Sequence, residues 1–151
     1  RMRNLETGEE TELYRANALS LAASPDGQLL AFTQGGQKLM ILPLAGGSPR
    51  ELLSMRATEM IALDAVVWTP DGRYLLCAKG PPDHPWSLWR IPVQGGEPQK
   101  LNLTMEGLNV GLRLHPDGRR IAFQSGQSGE LNRAQVWVME NFSAKEEKGQ
   151  K

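Results

Sequence analysis

The stretch SPDGQLLAF, Ser24 to Phe32, returns as TPDGRYLLC from Thr69 and as HPDGRRIAF from His115. Pro25 and Pro70 stand 45 residues apart, and Pro70 and Pro116 stand 46 apart, a step that belongs to repeat architectures. Proline presets φ at one turn corner, aspartate bonds the backbone ahead of it, and glycine accepts the positive φ that other residues resist. Each copy therefore reads as a hairpin turn. A second marker keeps nearly the same step: ILPLAGGSPREL, Ile41 to Leu52, matches RIPVQGGEPQKL, Arg90 to Leu101, with Gly47 and Gly96 separated by 49 residues.

Around these turns each unit resolves into short apolar runs. LSLAAS, DAVVWT and VGLRLH lead into the Pro-Asp-Gly turn, QLLAFT, RYLLCA and RRIAFQ leave it, and KLMIL, SLWRI and QVWVM follow as third strands. These runs are rich in β-branched, aromatic and long apolar residues. The Gly-Gly pair then turns the chain into a more polar fourth strand, PRELL or PQKLN, with the charges and the nearby proline of an exposed sheet edge. The inner strands are apolar on both faces and so require cover from both sides. Helix is the competing reading of apolar runs, but each run here is closed by Gly or Pro within a few positions. The expected fold is all-β, a propeller of four-stranded antiparallel blades.

The N-terminal segment RMRNLETGEETELYR aligns with the end of a blade, because Leu5, Gly8 and Leu13 precede Leu44, Gly47 and Leu52 by a constant 39 residues. The expected organisation is a half blade over 1–16, blades over 17–56 and 57–104, a three-stranded last blade over 105–142, and a disordered, polar tail over 143–151. Propellers close with roughly four or more blades. A six-bladed ring is thus expected, completed either by a longer parent chain or by a homodimer in which each TELYR strand finishes the partner's last blade.

Lys plus Arg and Asp plus Glu both total 17. With no net charge there is no broad basic field, so nucleic acid is not an expected partner. Cys77, the only cysteine, lies in the apolar run YLLCA and reads as a small core residue. No apolar run reaches the length of a membrane span, and RMRNLETGEE lacks the hydrophobic segment of a signal peptide, so no membrane insertion is expected. His84, His115 and Cys77 fall in no paired zinc spacing, and no glycine-rich loop opens a helix; neither a metal nor a cofactor is expected. His115 takes the turn position of Ser24 and Thr69, and Asp26, Asp71 and Asp117 read as turn formers.

The three Pro-Asp-Gly copies resemble the TolB-type propeller repeat, a relative of the WD repeat, over about Leu19 to Phe142. The closing VWVMENF looks like the end of propellers appended to bacterial regulators and protein kinases. This resemblance implies sensing or protein contact, docking of peptide segments, and, as an implication of family alone, a periplasmic setting. Related propellers gate serine peptidases, but neither GGSPR at Gly46 nor GQSGE at Gly126 satisfies Gly-x-Ser-x-Gly, and catalysis within this segment is not expected.

In such a ring the Pro-Asp-Gly and Gly-Gly turns share one face, and the irregular loops share the other. Loops on a rigid scaffold commonly carry recognition. GPPDHPWS, from Gly80, offers Asp83, His84 and Trp86 on a proline-stiffened connection; the alternative is that Trp86 folds back over the blade edge. SGQSGELNRA, from Ser125, offers Arg133. Arg113 interrupts an apolar innermost strand where other units place Ala22 and Val67; pointing into the central channel, it either binds a carboxylate or anion or pairs with an acidic neighbour such as Asp64 or Glu106. Trp68, Trp89 and Trp137 read as packing between blades. The expected function is a non-catalytic binding or scaffold module that docks a protein or peptide on its loop-rich face and channel mouth. The alternative is an accessory sensing or gating domain of a larger signalling protein or peptidase.

Overall fold

The computed structural model describes residues 1–82, 85–106, 111–125, 135–140 and 142. Every regular element among them is a strand. Strands β1 (Met2–Arg3) and β2 (Glu10–Thr11) form a two-stranded sheet. A four-stranded meander follows, made of β3 (Ala18–Ala23), β4 (Leu29–Gln34), β5 (Lys38–Pro43) and β6 (Arg50–Ser54). A second meander comprises β7 (Met60–Trp68), β8 (Tyr74–Gly80), β9 (Trp86–Pro92) and β10 (Gln99–Met105). The third sheet holds β11 (Arg113–Leu114), β12 (Arg120–Ser125) and β13 (Gln135–Glu140). All pairings are antiparallel. This is the propeller-blade architecture expected from the repeat. Asp83, His84, Arg133 and the tail over 143–151 lie outside the described residues.

The three Pro-Asp-Gly turns are built alike. Gly27, Gly72 and Gly118 have φ of 69°, 67° and 69°, and each donates its amide to the carbonyl of the first turn residue, Ser24, Thr69 or His115, at 2.9 Å. The aspartate then accepts the amide two residues on: Gln28 at 3.0 Å, Arg73 at 3.0 Å and Arg119 at 2.8 Å. Successive turns also touch: a Cβ on Gly118 would lie 3.4 Å from the Pro70 ring, and one on Gly72 would lie 4.0 Å from the Pro25 ring.

The core lies between the sheets, not within any one of them. In β8, Leu75, Leu76, Cys77 and Ala78 are consecutive and wholly buried, which alternation would forbid unless both faces were covered. Leu75 and Cys77 face the first meander with Ala31, Leu39 and Ile41; Leu76 and Ala78 face the third sheet with Ile121 and Phe123. Each such buried leucine contributes roughly 1.5–3 kcal/mol by leaving water. A smaller cluster, Phe32, Met40 and Leu42 with Leu13, packs the N-terminal segment onto the first meander, where Tyr14 and Phe32 meet at 5.7 Å.

Three details depart from the sequence expectation. The fourth strand of the second meander is not uniformly polar: Leu101, Leu103 and Met105 of β10 alternate into the core. The first strand of the third sheet pairs over two residues only. Trp68 and Trp89 do pack against the core between the two meanders, but Trp137, which pairs with Phe123 on the face turned toward the second meander, is 51% exposed.

Candidate functional site

The first strands β3, β7 and β11 are the innermost of their sheets, and one chain of hydrogen bonds crosses all three. Ser20, buried in β3, receives the Asp64 amide on its hydroxyl at 3.2 Å, while its own amide donates to Thr33 Oγ1 at 3.2 Å. The Asp64 carbonyl accepts the Leu112 amide at 3.0 Å. Asp64 has φ of 52°, the only non-glycine residue with positive φ among those described. It sits where the β7–β8 register shifts, between Ile61 and Val66. An extra residue at such a bulge re-aims a side chain, and a left-handed non-glycine residue persists only where its surroundings hold it. The Ser20 and Leu112 bonds are what hold it here.

The side chain so aimed meets Arg113. Arg113 Nη2 donates to Asp64 Oδ2 at 2.8 Å, and Nη1 donates to the Leu112 carbonyl at 2.8 Å. The side chains remain 63% and 61% exposed, so the pair is worth little to stability. Its chemistry is that of a positioned carboxylate and guanidinium open to solvent beside an apolar strand. Arg113 thus pairs with Asp64, the acidic neighbour expected for it.

The other sequence candidates fare differently. Trp86 is 3% exposed and belongs to the cluster between the second and third sheets; it folds over Gly80, whose absent Cβ would lie 3.9 Å from the indole. It offers no surface for contact. His115 forms the turn, with Nδ1 at 3.2 Å from the Asp117 amide and 2.9 Å from Asp117 Oδ2. The Arg119 amide, with the Arg120 and His115 side chains, holds the Asp117 carboxyl down at about 2. The Ser24 hydroxyl and the Gln28 amide likewise lower the Asp26 carboxyl. Burial opposes the charge on Asp71, but the Thr69 hydroxyl and the Arg73 amide outweigh it. Cys77 is buried, which pushes its thiol up to about 12 and leaves it a packing group. No group of three metal-ligating side chains occurs among the described residues.

No motif in the sequence marks Ser20 or the backbone of Asp64. The available signal was slight: Asp64 is the one charge inside the run IALDAVVW.

No family model matches the chain. An uncharacterized protein of Agrobacterium fabrum is 31% identical over 119 residues, covering 76% of this chain and 37% of that protein. Among solved structures, an oligogalacturonate lyase in complex with manganese superposes with a TM-score of 0.67 at 15% identity, covering 91% of this chain and 38% of that one. A nidogen/laminin complex gives 0.63 at 15% identity, covering 89% and 54%. The hydrazine synthase of Kuenenia stuttgartiensis gives 0.56 at 19% identity, covering 92% and 36%. These likenesses define the class: the chain is a β-propeller segment. It spans 37% of the curated relative it matches.

Proposed function

We propose that this segment is part of a non-catalytic binding module that docks a protein or peptide at the mouth of the propeller's axial channel. The observation that carries this reading is the Asp64–Arg113 pair, an exposed carboxylate and guanidinium fixed by hydrogen bonds across three innermost strands. The left-handed backbone of Asp64 bonds the neighbouring sheets while aiming its carboxylate into solvent, and strained residues of this kind cluster at ligand-binding sites. The finer kinship with TolB-type propellers belongs to the same proposal and rests on the Pro-Asp-Gly repeats.

A second reading, an accessory domain of a larger signalling protein or peptidase, is favoured by the 37% coverage of the relative. Crosslinking of the full-length parent under native conditions separates the two. A binding module gives a recurrent partner whose crosslinks surround Asp64 and Arg113 and are lost in Arg113→Ala. The proposal fails if no partner recurs, or if Arg113→Ala leaves the crosslinks unchanged.

A further inference from the structure

The two seams between successive sheets are built from equivalent positions but filled differently. In the first seam Trp68, the residue before Thr69, packs with Ala31 and Ile41, and its Nε1–H donates to the Ala22 carbonyl of the preceding sheet at 2.8 Å. In the second seam the residue before His115 is Leu114, which lacks such a donor. Ile41 pairs with Ala31 as Arg90 pairs with Leu76, so Arg90 stands where the first seam has isoleucine. Tyr74 likewise stands in the place of Leu29. The second seam carries a cleft of about 310 Å³.

Its walls are well defined. Leu76 and Leu101 form a buried apolar floor, with Pro70 and Phe142 at the sides. The Arg90 guanidinium is held flat, 4.9 Å from the Tyr74 ring centroid, with Nε 3.2 Å from Gln99 Oε1. Asp71 spends Oδ1 on the Thr69 hydroxyl, at 2.6 Å, and on the Arg73 amide, at 3.0 Å. Among the described residues no hydrogen bond reaches its Oδ2. The cleft thus combines an apolar floor, a planar cation on which a ring can stack, and one unspent acceptor, at the lower end of the roughly 300–1,000 Å³ of ligand pockets.

We propose that this cleft receives a donor-bearing aromatic side chain, tryptophan or tyrosine, from a partner peptide. The ring lies on Leu76, Leu101 and the Arg90 plane, and its N–H or O–H donates to Asp71 Oδ2. The inference rests on the peptide-docking reading above and assigns it a second contact, away from the channel mouth. Aromatic anchors in fully desolvated pockets are where peptide interfaces concentrate their affinity.

The test is an NMR titration of the full chain with N-acetyl-tryptophanamide, with its 1-methylindole analogue, and with N-acetyl-leucinamide. The expected result is saturable shifts confined to Tyr74, Leu76, Leu101 and Gly118. Methylating the indole nitrogen weakens binding about tenfold, the worth of one hydrogen bond. Arg90→Ile, which installs the residue of the first seam, weakens it several-fold without changing the spectrum of the first meander. Absence of saturable shifts at these residues overturns the inference, as does equal binding of the methylated or leucine probe, or binding indifferent to Arg90→Ile. A partner that crosslinks around Asp64 and Arg113 while the cleft stays untouched by the probe sinks this inference alone; a filled cleft with no recurrent partner sinks the channel-mouth reading alone.

Discussion

At the scale of single residues, the Pro-Asp-Gly turns show how far a local motif determines structure. Everything that shapes them lies within five positions: a preset φ at proline, a left-handed glycine, and an aspartate bonded to the amide two residues ahead. Such information is legible in sequence because no distant residue is needed to supply it. Replacing Gly72 by alanine forces a Cβ into the left-handed region and is expected to cost about 1–2 kcal/mol, measured by urea unfolding. Asp117 carries a pH signature. Its carboxyl is held at about 2 in the folded chain, below the ordinary carboxylate value of about 3.9. The stabilisation is therefore fully present above pH about 4 and is lost as pH falls toward 2. The stability gap between the parent chain and Asp117→Ala is expected to narrow over that interval; a gap constant from pH 6 to 2 contradicts the assignment.

At the scale of elements, the strands were readable where the pattern is self-contained and unreadable where a neighbouring sheet decides. The runs through β4 and β8 announce two covered faces by being apolar without alternation, and both strands are buried on both sides. Trp68 and Trp137 look alike in sequence, each on an apolar strand. Their environments diverge: Trp68 is 7% exposed in the core against the first meander, whereas Trp137 stays 51% exposed beside Phe123. The left-handed backbone of Asp64 was likewise hidden, since it depends on Ser20 and Leu112, 44 residues before it and in the next unit respectively. The same held for the cleft, which emerges only when Arg90 and Tyr74 are set against Ile41 and Leu29. The difference between the tryptophans has an energetic expression. Trp68→Phe removes the donor to the Ala22 carbonyl and is expected to cost about 1–3 kcal/mol, whereas Trp137→Phe is expected to stay within about 0.5 kcal/mol. Chemical unfolding of both variants against the parent checks the contrast.

At the scale of the whole molecule, the two ends of the arc are unlike its middle. Val136 and Val138 are 79% and 65% exposed on one face of β13, and Leu5, Leu19 and Leu21 are 92%, 47% and 65% exposed at the other end. Sheet faces of this kind invite a further sheet. Ring completion, by more blades of a longer chain or by a second copy, is the proposal these faces support. Sedimentation of the isolated 151-residue chain is expected to show concentration-dependent association, reduced by Val136→Thr with Val138→Thr. A monomer at all concentrations would speak against a second copy and leave the longer chain as the means of closure.

Placing the apolar mass in separate slabs between sheets, instead of in one central droplet, makes cohesion a nearest-neighbour affair. Loosening at one slab need not propagate to the next. The seam held by the Trp68 indole and the seam held by the Asp64–Arg113 pair are therefore expected to yield separately to a perturbation placed in either one.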